Sequence, residues 1–228
     1  MRNRKYAIAI DGPAGAGKST VAKEVAKVLN LEYIDTGAMY RALTLKVMRA
    51  NKDPKNALQV IDILKDTHIE FNNNHIYLDG EIVDKDIREN NINKNVSYIA
   101  IIKEVREQLV LLQQEMAKTK SVIMDGRDIS TVVLTNAEYK FFITASTKER
   151  ASRRYKELIQ NGETDITLEQ IIEEIEKRDD IDSNREIAPL LMSHDAILID
   201  TDNLSIDEVV SKIIDIVEGG NWFVLQFY

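Results

Sequence analysis

The chain contains no cysteine. Disulfides, thiolate catalysis and cysteine-based zinc sites are thereby excluded. Histidine is scarce as well: His68, His75 and His194 lie too far apart in sequence to suggest a metal cluster and read as structural or solvated side chains. No apolar run approaches the ~18 residues of a membrane-spanning helix, and no charged-then-apolar leader opens the sequence. Neither a transmembrane span nor a signal peptide is expected, and a cytoplasmic location with no membrane partner follows. Basic residues are in deficit. A formal net charge of −8 argues against sequence-independent binding to a nucleic-acid polymer or an anionic membrane, because both need an excess of Lys and Arg. Local basic clusters can still take small anions.

What is present suffices for one globular unit, or a core carrying one insert, since 44% of the 228 residues are apolar. Short β-rich runs at Tyr6 to Ile10, Leu31 to Ile34, Val122 to Met124, Tyr139 to Ile143 and Ala196 to Ile199 read as buried strands of a parallel sheet. Between them, Val21, Val25 and Val28 form one helical stripe, and Ile206, Val209, Val210, Ile213 and Ile214 form another. Ser146 with Glu149, Thr167 with Gln170 and Ser205 with Glu208 have capping-box spacing and mark three helix starts. The alternation predicts an α/β three-layer sandwich with a central parallel sheet. From His68 to Val83 the pattern changes to a small antiparallel meander, with turns at Asn72-Asn73-Asn74 and Asp79-Gly80. That stretch reads as an insert. A polar segment from Asp84 to Asn95 and a helix from about Ile99 to Ala117 follow it. The last residues, Gly219-Gly220 and then Trp222 to Tyr228, form an aromatic tail to which the sequence assigns no function.

One motif carries chemistry. Gly12-Pro13-Ala14-Gly15-Ala16-Gly17-Lys18-Ser19 satisfies the eight-residue P-loop pattern between a predicted strand and a predicted helix. Its glycines let backbone N–H groups converge on phosphate oxygens, Lys18 reaches the β and γ oxygens of a nucleoside triphosphate, and the Ser19 hydroxyl can ligate Mg²⁺. The motif leaves the second substrate open, because P-loops also drive switches and motors. A GTPase would need Asp three positions before a glycine and an Asn-Lys-x-Asp reader, and the sequence has neither. Arginines instead recur at loop and helix-end positions: Arg41, Arg106, Arg127, Arg153, Arg154, Arg178 and Arg185. Two phosphorylated substrates would need such groups. Arg178, Asp182 and Arg185 would share one face of a helix, as a site or as a solvated salt bridge. Asp35 and Asp125 end strands near the P-loop, where they could orient the waters of Mg²⁺ or pair with a neighbouring arginine. Arg150, Arg153 and Arg154 share a helical face that by itself reads as an ordinary charged surface.

Three further strings join the P-loop: Asp35-Thr36-Gly37-Ala38-Met39-Tyr40-Arg41, Asp125-Gly126-Arg127-Asp128, and Arg178 to Arg185 followed by Ala188-Pro189-Leu190. Together, over roughly positions 5 to 217, they resemble bacterial cytidylate kinase, a P-loop nucleoside monophosphate kinase. The resemblance implies ATP-dependent phosphorylation of CMP and dCMP by a monomer. It implies a kinase core over residues 1–65 and 100–228, an acceptor-binding insert over 66–99 and a helical lid over 150–166. ATP with Mg²⁺ would be held by the P-loop and Thr20, with Ser19 on the metal. The acceptor would meet Thr36, Tyr40, Arg41, Ser97, Arg106, Arg127, Asp128, Arg178, Asp182 and Arg185. Of these, Arg41, Arg127 and Arg185 would hold its phosphate, Ser97, Arg106 and Asp128 its base, and Arg178 with Asp182 its sugar. Lys18, Arg41, Arg127, Arg153 and Arg154 would be catalytic. Ser130 stands where the family pattern has glycine, and Ile181 and Ser183 replace arginines of some members. Related kinases acting on UMP, shikimate or dephospho-coenzyme A share the P-loop and sheet, and an ATP-dependent binding module is the other alternative.

Overall fold

In the computed structural model, which describes residues 5–72, 75–160, 162 and 166–219, the chain opens with strand β1 (Ala7–Asp11). Its interior is apolar on both faces, as a strand covered on both sides requires. Helix α1 (Lys18–Leu29), strand β2 (Glu32–Asp35), α2 (Thr36–Arg49) and α3 (Ala57–Lys65) follow. Short strands β3 (Ile69–Asn72), β4 (His75–Leu78) and β5 (Glu81–Ile82) come next. A 3₁₀ turn at Asp86–Arg88 leads into α4 (Asn90–Ala100) and α5 (Lys103–Thr119). After β6 (Val122–Gly126) a π-helical turn spans Ile129–Val133, and β7 (Tyr139–Thr144), α6 (Thr147–Gln160) and α7 (Leu168–Asn184) succeed it. Strand β8 (Ile197–Asp200) and α8 (Ile206–Val217) complete the order.

The main sheet runs β2-β6-β1-β7-β8, every pairing parallel, and β3-β4-β5 make a separate antiparallel sheet. Side chains alternate across the strands. Ile8, Ile10 and Ile123 pack with Val21 and Val25 of α1 and Val209 and Ile213 of α8. Ala9, Val122 and Met124 face the other layer, where Val110 and Met116 of α5 cover them. This is the three-layer sandwich expected from the alternation. Each fully buried Ile or Phe contributes roughly 1.5–3 kcal/mol, so the sheet is a firm base for its own carboxyl edge. There the register sets Asp35 and Ile10 beside Asp125, and Asp11 beside Gly126. A further cluster joins α2 to α3, β3, β4, α4 and α5, and a smaller one joins α6 to α7 through Ala151, Leu158, Ile171 and Ile175.

Several local expectations change. The strands run one or two residues further toward their carboxyl ends than the apolar runs suggest, because Asp11, Asp35, Asp125 and Gly126 still pair. Val28, expected on the buried stripe of α1, is 60% exposed, and Ile206 at the start of α8 is exposed too. The polar segment Asp84 to Asn95 is not all loop, since α4 begins at Asn90 and buries Ile92, Val96 and Ile99. The helix expected from Ile99 is broken at Ile101 and Ile102, between α4 and α5. Thr167 and Ser205 form complete capping boxes. Ser146 Oγ accepts from the Glu149 N–H at 3.3 Å, but the return arm is missing, because the Ser146 N–H donates to Asp202 and Arg153 donates to the Glu149 carboxylate. The Asp79-Gly80 turn joins β4 to β5 with positive φ at both residues. Asn73 and Asn74 of the other expected turn, most of the polar segment after α6 (161 and 163–165) and the tail at 220–228 lie outside the described residues.

Candidate active site

A cleft of about 1070 Å³ follows the carboxyl edge of the sheet from the P-loop to α4 and α5, where open α/β sheets place their ligands. The loop can turn so sharply only with glycine. At Gly12, φ is +146°, and an added Cβ would lie 1.9 Å from the Ile143 carbonyl oxygen. Gly17, also at positive φ, precedes α1, whose N-terminus has no side-chain cap. Its first N–H groups are therefore available to an anion. Lys18 Nζ donates to the Pro13 carbonyl at 2.7 Å. Burial, reinforced by the Arg127 charge, holds its ammonium well below the usual lysine range.

Asp125 stands beneath this loop. Its Oδ2 accepts from Ser19 Oγ at 2.8 Å and its Oδ1 from Tyr33 Oη at 2.8 Å. Burial and then the neighbouring Asp35 push its pKa up. Asp35 is differently occupied: one oxygen caps α2 through the Ala38 N–H, and the other accepts from Arg41 Nη2 at 2.9 Å and Arg88 Nη2 at 2.5 Å. Burial alone would raise its carboxyl, but the two guanidiniums outweigh that and hold it at about 2.

The far end of the cleft is built on Asp128 and Asp182. Asp128 Oδ2 accepts from Arg106 Nη2, and its Oδ1 from Arg185 Nη2 at 3.3 Å. The Arg106 guanidinium lies over the Tyr40 ring, 5.8 Å from its centroid. Asp182 accepts from Arg127 Nε at 2.8 Å, while Arg178 Nε stays 4.0 Å away. Burial and the Arg127 charge bring Arg178 down to about 10, so it remains a cation at neutral pH. The Nε groups of Arg41, Arg106 and Arg178 are buried donors with no hydrogen-bond partner among the described residues. Such donors are costly to leave unmade and suit an anionic or polar ligand.

Lys18, Ser19, Thr20, Thr36, Tyr40, Arg41, Ser97, Arg106, Arg127, Asp128, Arg178, Asp182 and Arg185 all line this one cleft, although they come from five separate stretches of chain. Gly12 and Pro13 do not line it. Arg178, Asp182 and Arg185 do not share a helical face as their spacing suggests: α7 ends at Asn184, and Arg185 turns out in extended conformation toward Asp128. The arginines of α6, Arg150, Arg153 and Arg154, also line the cleft but are already engaged with the protein. Arg150 is buried, donating to the Ala14 carbonyl at 3.0 Å and pairing with Asp179 at 2.7 Å. Arg153 holds Thr201 through two hydrogen bonds and Glu149 through a third, and Arg154 pairs with Glu157. Sequence reasoning missed Asp11, Tyr33 and Arg88. Tyr33 read only as part of a strand, and Arg88 lay within the segment read as polar.

Comparisons with known proteins identify the family. The family model described as cytidylate kinase matches residues 8–219. A cytidylate kinase from Clostridioides difficile (strain 630) is 52% identical over 207 residues, covering 91% of this chain and 95% of that protein. One from Alkaliphilus oremlandii (strain OhILAs) is 52% identical over 212 residues, covering 93% and 97%. An uncharacterised protein from Eubacterium ventriosum ATCC 27560 has a solved structure that superposes with a TM-score of 0.54 at 14% identity, covering 94% of this chain and 99% of that one. That likeness speaks to the fold alone. With the family's model matched across nearly the whole chain and half the residues shared with its members, the chain belongs to the cytidylate kinase family.

Proposed function

We infer that the protein transfers the γ-phosphoryl group of ATP to CMP. The observation that carries this reading is a single cleft with a P-loop at one end and, at the other, a buried carboxylate flanked by two arginines. ATP lies with its phosphates on the loop and the α1 N-terminus. Lys18 Nζ leaves the Pro13 carbonyl for the β and γ oxygens. Arg41, Arg127 and Arg185 take the acceptor phosphate, and the partnerless Nε of Arg41 is one donor ready for it. The acceptor is largely dianionic near neutral pH, because a phosphomonoester's second pKa is about 6. It needs no general base. Catalysis is alignment and charge neutralisation, with Lys18, Arg41 and Arg127 distributed around the transferring group.

Mg²⁺ fits the donor set. The Ser19 hydroxyl and the Asp125 carboxylate are hard oxygen donors already hydrogen-bonded to each other, and nucleotide phosphates supply the remaining oxygens that such a site expects. Bound there, the ion would neutralise charge on the β and γ phosphates. Asp35, with both oxygens committed to Ala38 and two arginines, serves as an anchor instead.

Asp128 reads the base. Cytosine offers an N4 amino donor beside N3 and O2 acceptors, and each Asp128 oxygen has a lone pair beyond the one its arginine uses. Uracil would set O4 against that carboxylate. We propose the same site for dCMP, with Arg178 and Asp182 at the sugar, residues 66–99 as the acceptor-side cover and 150–166 as the lid over ATP. A coupled ADP-release assay with CMP, dCMP, UMP and shikimate tests the reading. Release stimulated by CMP is expected, and acceptor-independent turnover or a preference for UMP would overturn it.

A further inference from the structure

We propose that Asp11 is a positioning residue that fastens the ATP-binding loop to the base-reading loop and thereby sets the selectivity of Asp128. Asp11 ends β1 and immediately precedes Gly12 of the P-loop. Its side chain is not among those lining the cleft, so a nucleotide bound there would not meet it. It is 0% exposed and makes no salt bridge among the described residues, although its charge is felt by the nearby Lys18. Instead its carboxylate accepts the Ile129 N–H at 2.7 Å, the Ser130 N–H at 2.8 Å and the Ser130 hydroxyl.

Those donors open the π-helical turn that directly follows Asp128. The turn has no side-chain cap of its own, since Asp128, the residue in the capping position, spends its carboxylate on Arg106 and Arg185. A helical turn leaves its first N–H groups without partners, and an anion satisfies them well. Asp11 supplies that anion from 118 residues away. The arrangement leaves little slack. A Cβ on Gly126 would meet Ile129 and Thr36 side-chain atoms at 2.7 Å, so the loop is pinned from both ends of its Gly126-Arg127-Asp128 segment. Burial pushes the Asp11 carboxyl up and its three hydrogen bonds pull it back. Replacing Asp11 alone by an apolar residue would leave buried donors unpaired. Three donors converge on its carboxylate, and all three belong to the residues that set the Asp128 backbone.

The inference rests on the assignment of Asp128 to the cytosine base. Asp11→Asn offers one acceptor oxygen and an amide that faces N–H donors, so the turn should shift and carry Asp128 with it. The ratio of kcat/KM for CMP over UMP should fall about tenfold, the worth of one hydrogen bond to a charged group. Ser130→Ala keeps both backbone bonds and should lower the ratio by about threefold, with KM for ATP unchanged within about twofold; Ser130→Thr should restore it. If the Asn variant fails to fold, the Ser130 pair decides. Variants that lose thermal stability while keeping the parent's CMP-over-UMP ratio would overturn the proposal. A parent with no CMP preference would instead overturn the base assignment beneath it.

Discussion

Replacing Asp35 with Asn keeps an oxygen able to cap Ala38 but removes the charge that Arg41 and Arg88 share. The Asp35 carboxyl sits at about 2 instead of the ordinary 3.8. That difference corresponds to roughly 2 kcal/mol of stability at neutral pH. The cations tell the same story. Arg88's side chain is 49% exposed and can turn into water, whereas Arg41's is 10% exposed and cannot. Stranding a buried cation costs about 3–5 kcal/mol in a sealed interior, and less beside a cleft. A loss of about 2–3 kcal/mol is expected in urea unfolding, with the denaturant slope unchanged. Because the folded pKa lies below the unfolded one, this stabilisation is complete above the ordinary value and disappears as the pH falls toward about 2. The gap between parent and variant should therefore close over that acid range. Inorganic phosphate should stabilise the variant more than the parent, since it replaces the missing counter-charge. A neutral-pH loss under about 0.5 kcal/mol, or a gap that persists in acid, would refute the reasoning.

Lys18→Ala should lower kcat by at least about 10²–10³ without lowering the melting temperature, because burial and Arg127 already disfavour the Lys18 charge in the folded protein. Activity within about tenfold of the parent would remove Lys18 from the chemistry. Asp128→Asn should shrink the CMP-over-UMP preference chiefly through lost CMP activity, as an amide can donate where the carboxylate could only accept. Because it also strands the buried Arg106 and Arg185, an accompanying stability loss is expected, and the ratio of kcat/KM is the quantity to measure.

The parts legible in the sequence are those whose cause is local. Five strands declared themselves as apolar runs, and the P-loop as a backbone shape that only its glycines allow; β8, expected to be buried like the rest, lies at the sheet edge and buries only Ile199, with Leu198 52% exposed. The unread parts depend on distant partners. Asp11 gains its meaning from Ile129 and Ser130, and Arg88 from Asp35, neither pair near in sequence. Helix α4 is rich in asparagine, which weakens helix propensity, yet Ile92, Val96 and Ile99 fall at helical spacing, and their burial against α2 and α5 overrides that propensity. Arg185 was placed on a helix because nothing in its spacing reveals that the helix stops one residue earlier. Arg185 lines the cleft all the same, reaching it from the extended residue that follows α7.

The apolar contact between α6 and α7 has a kinetic side. Ala151 and Leu158 of one helix pack on Ile171 and Ile175 of the other, and the Arg150–Asp179 pair adds a polar link beside the P-loop carbonyl of Ala14. On the proposed reading, the helix that bears Arg153 on the ATP side would move together with the helix that bears Arg178 and Asp182 on the sugar side. A nucleotide arriving at either end biases the same rigid pair, so each should lower the other's dissociation constant by an equal factor. The two substrates would then bind synergistically.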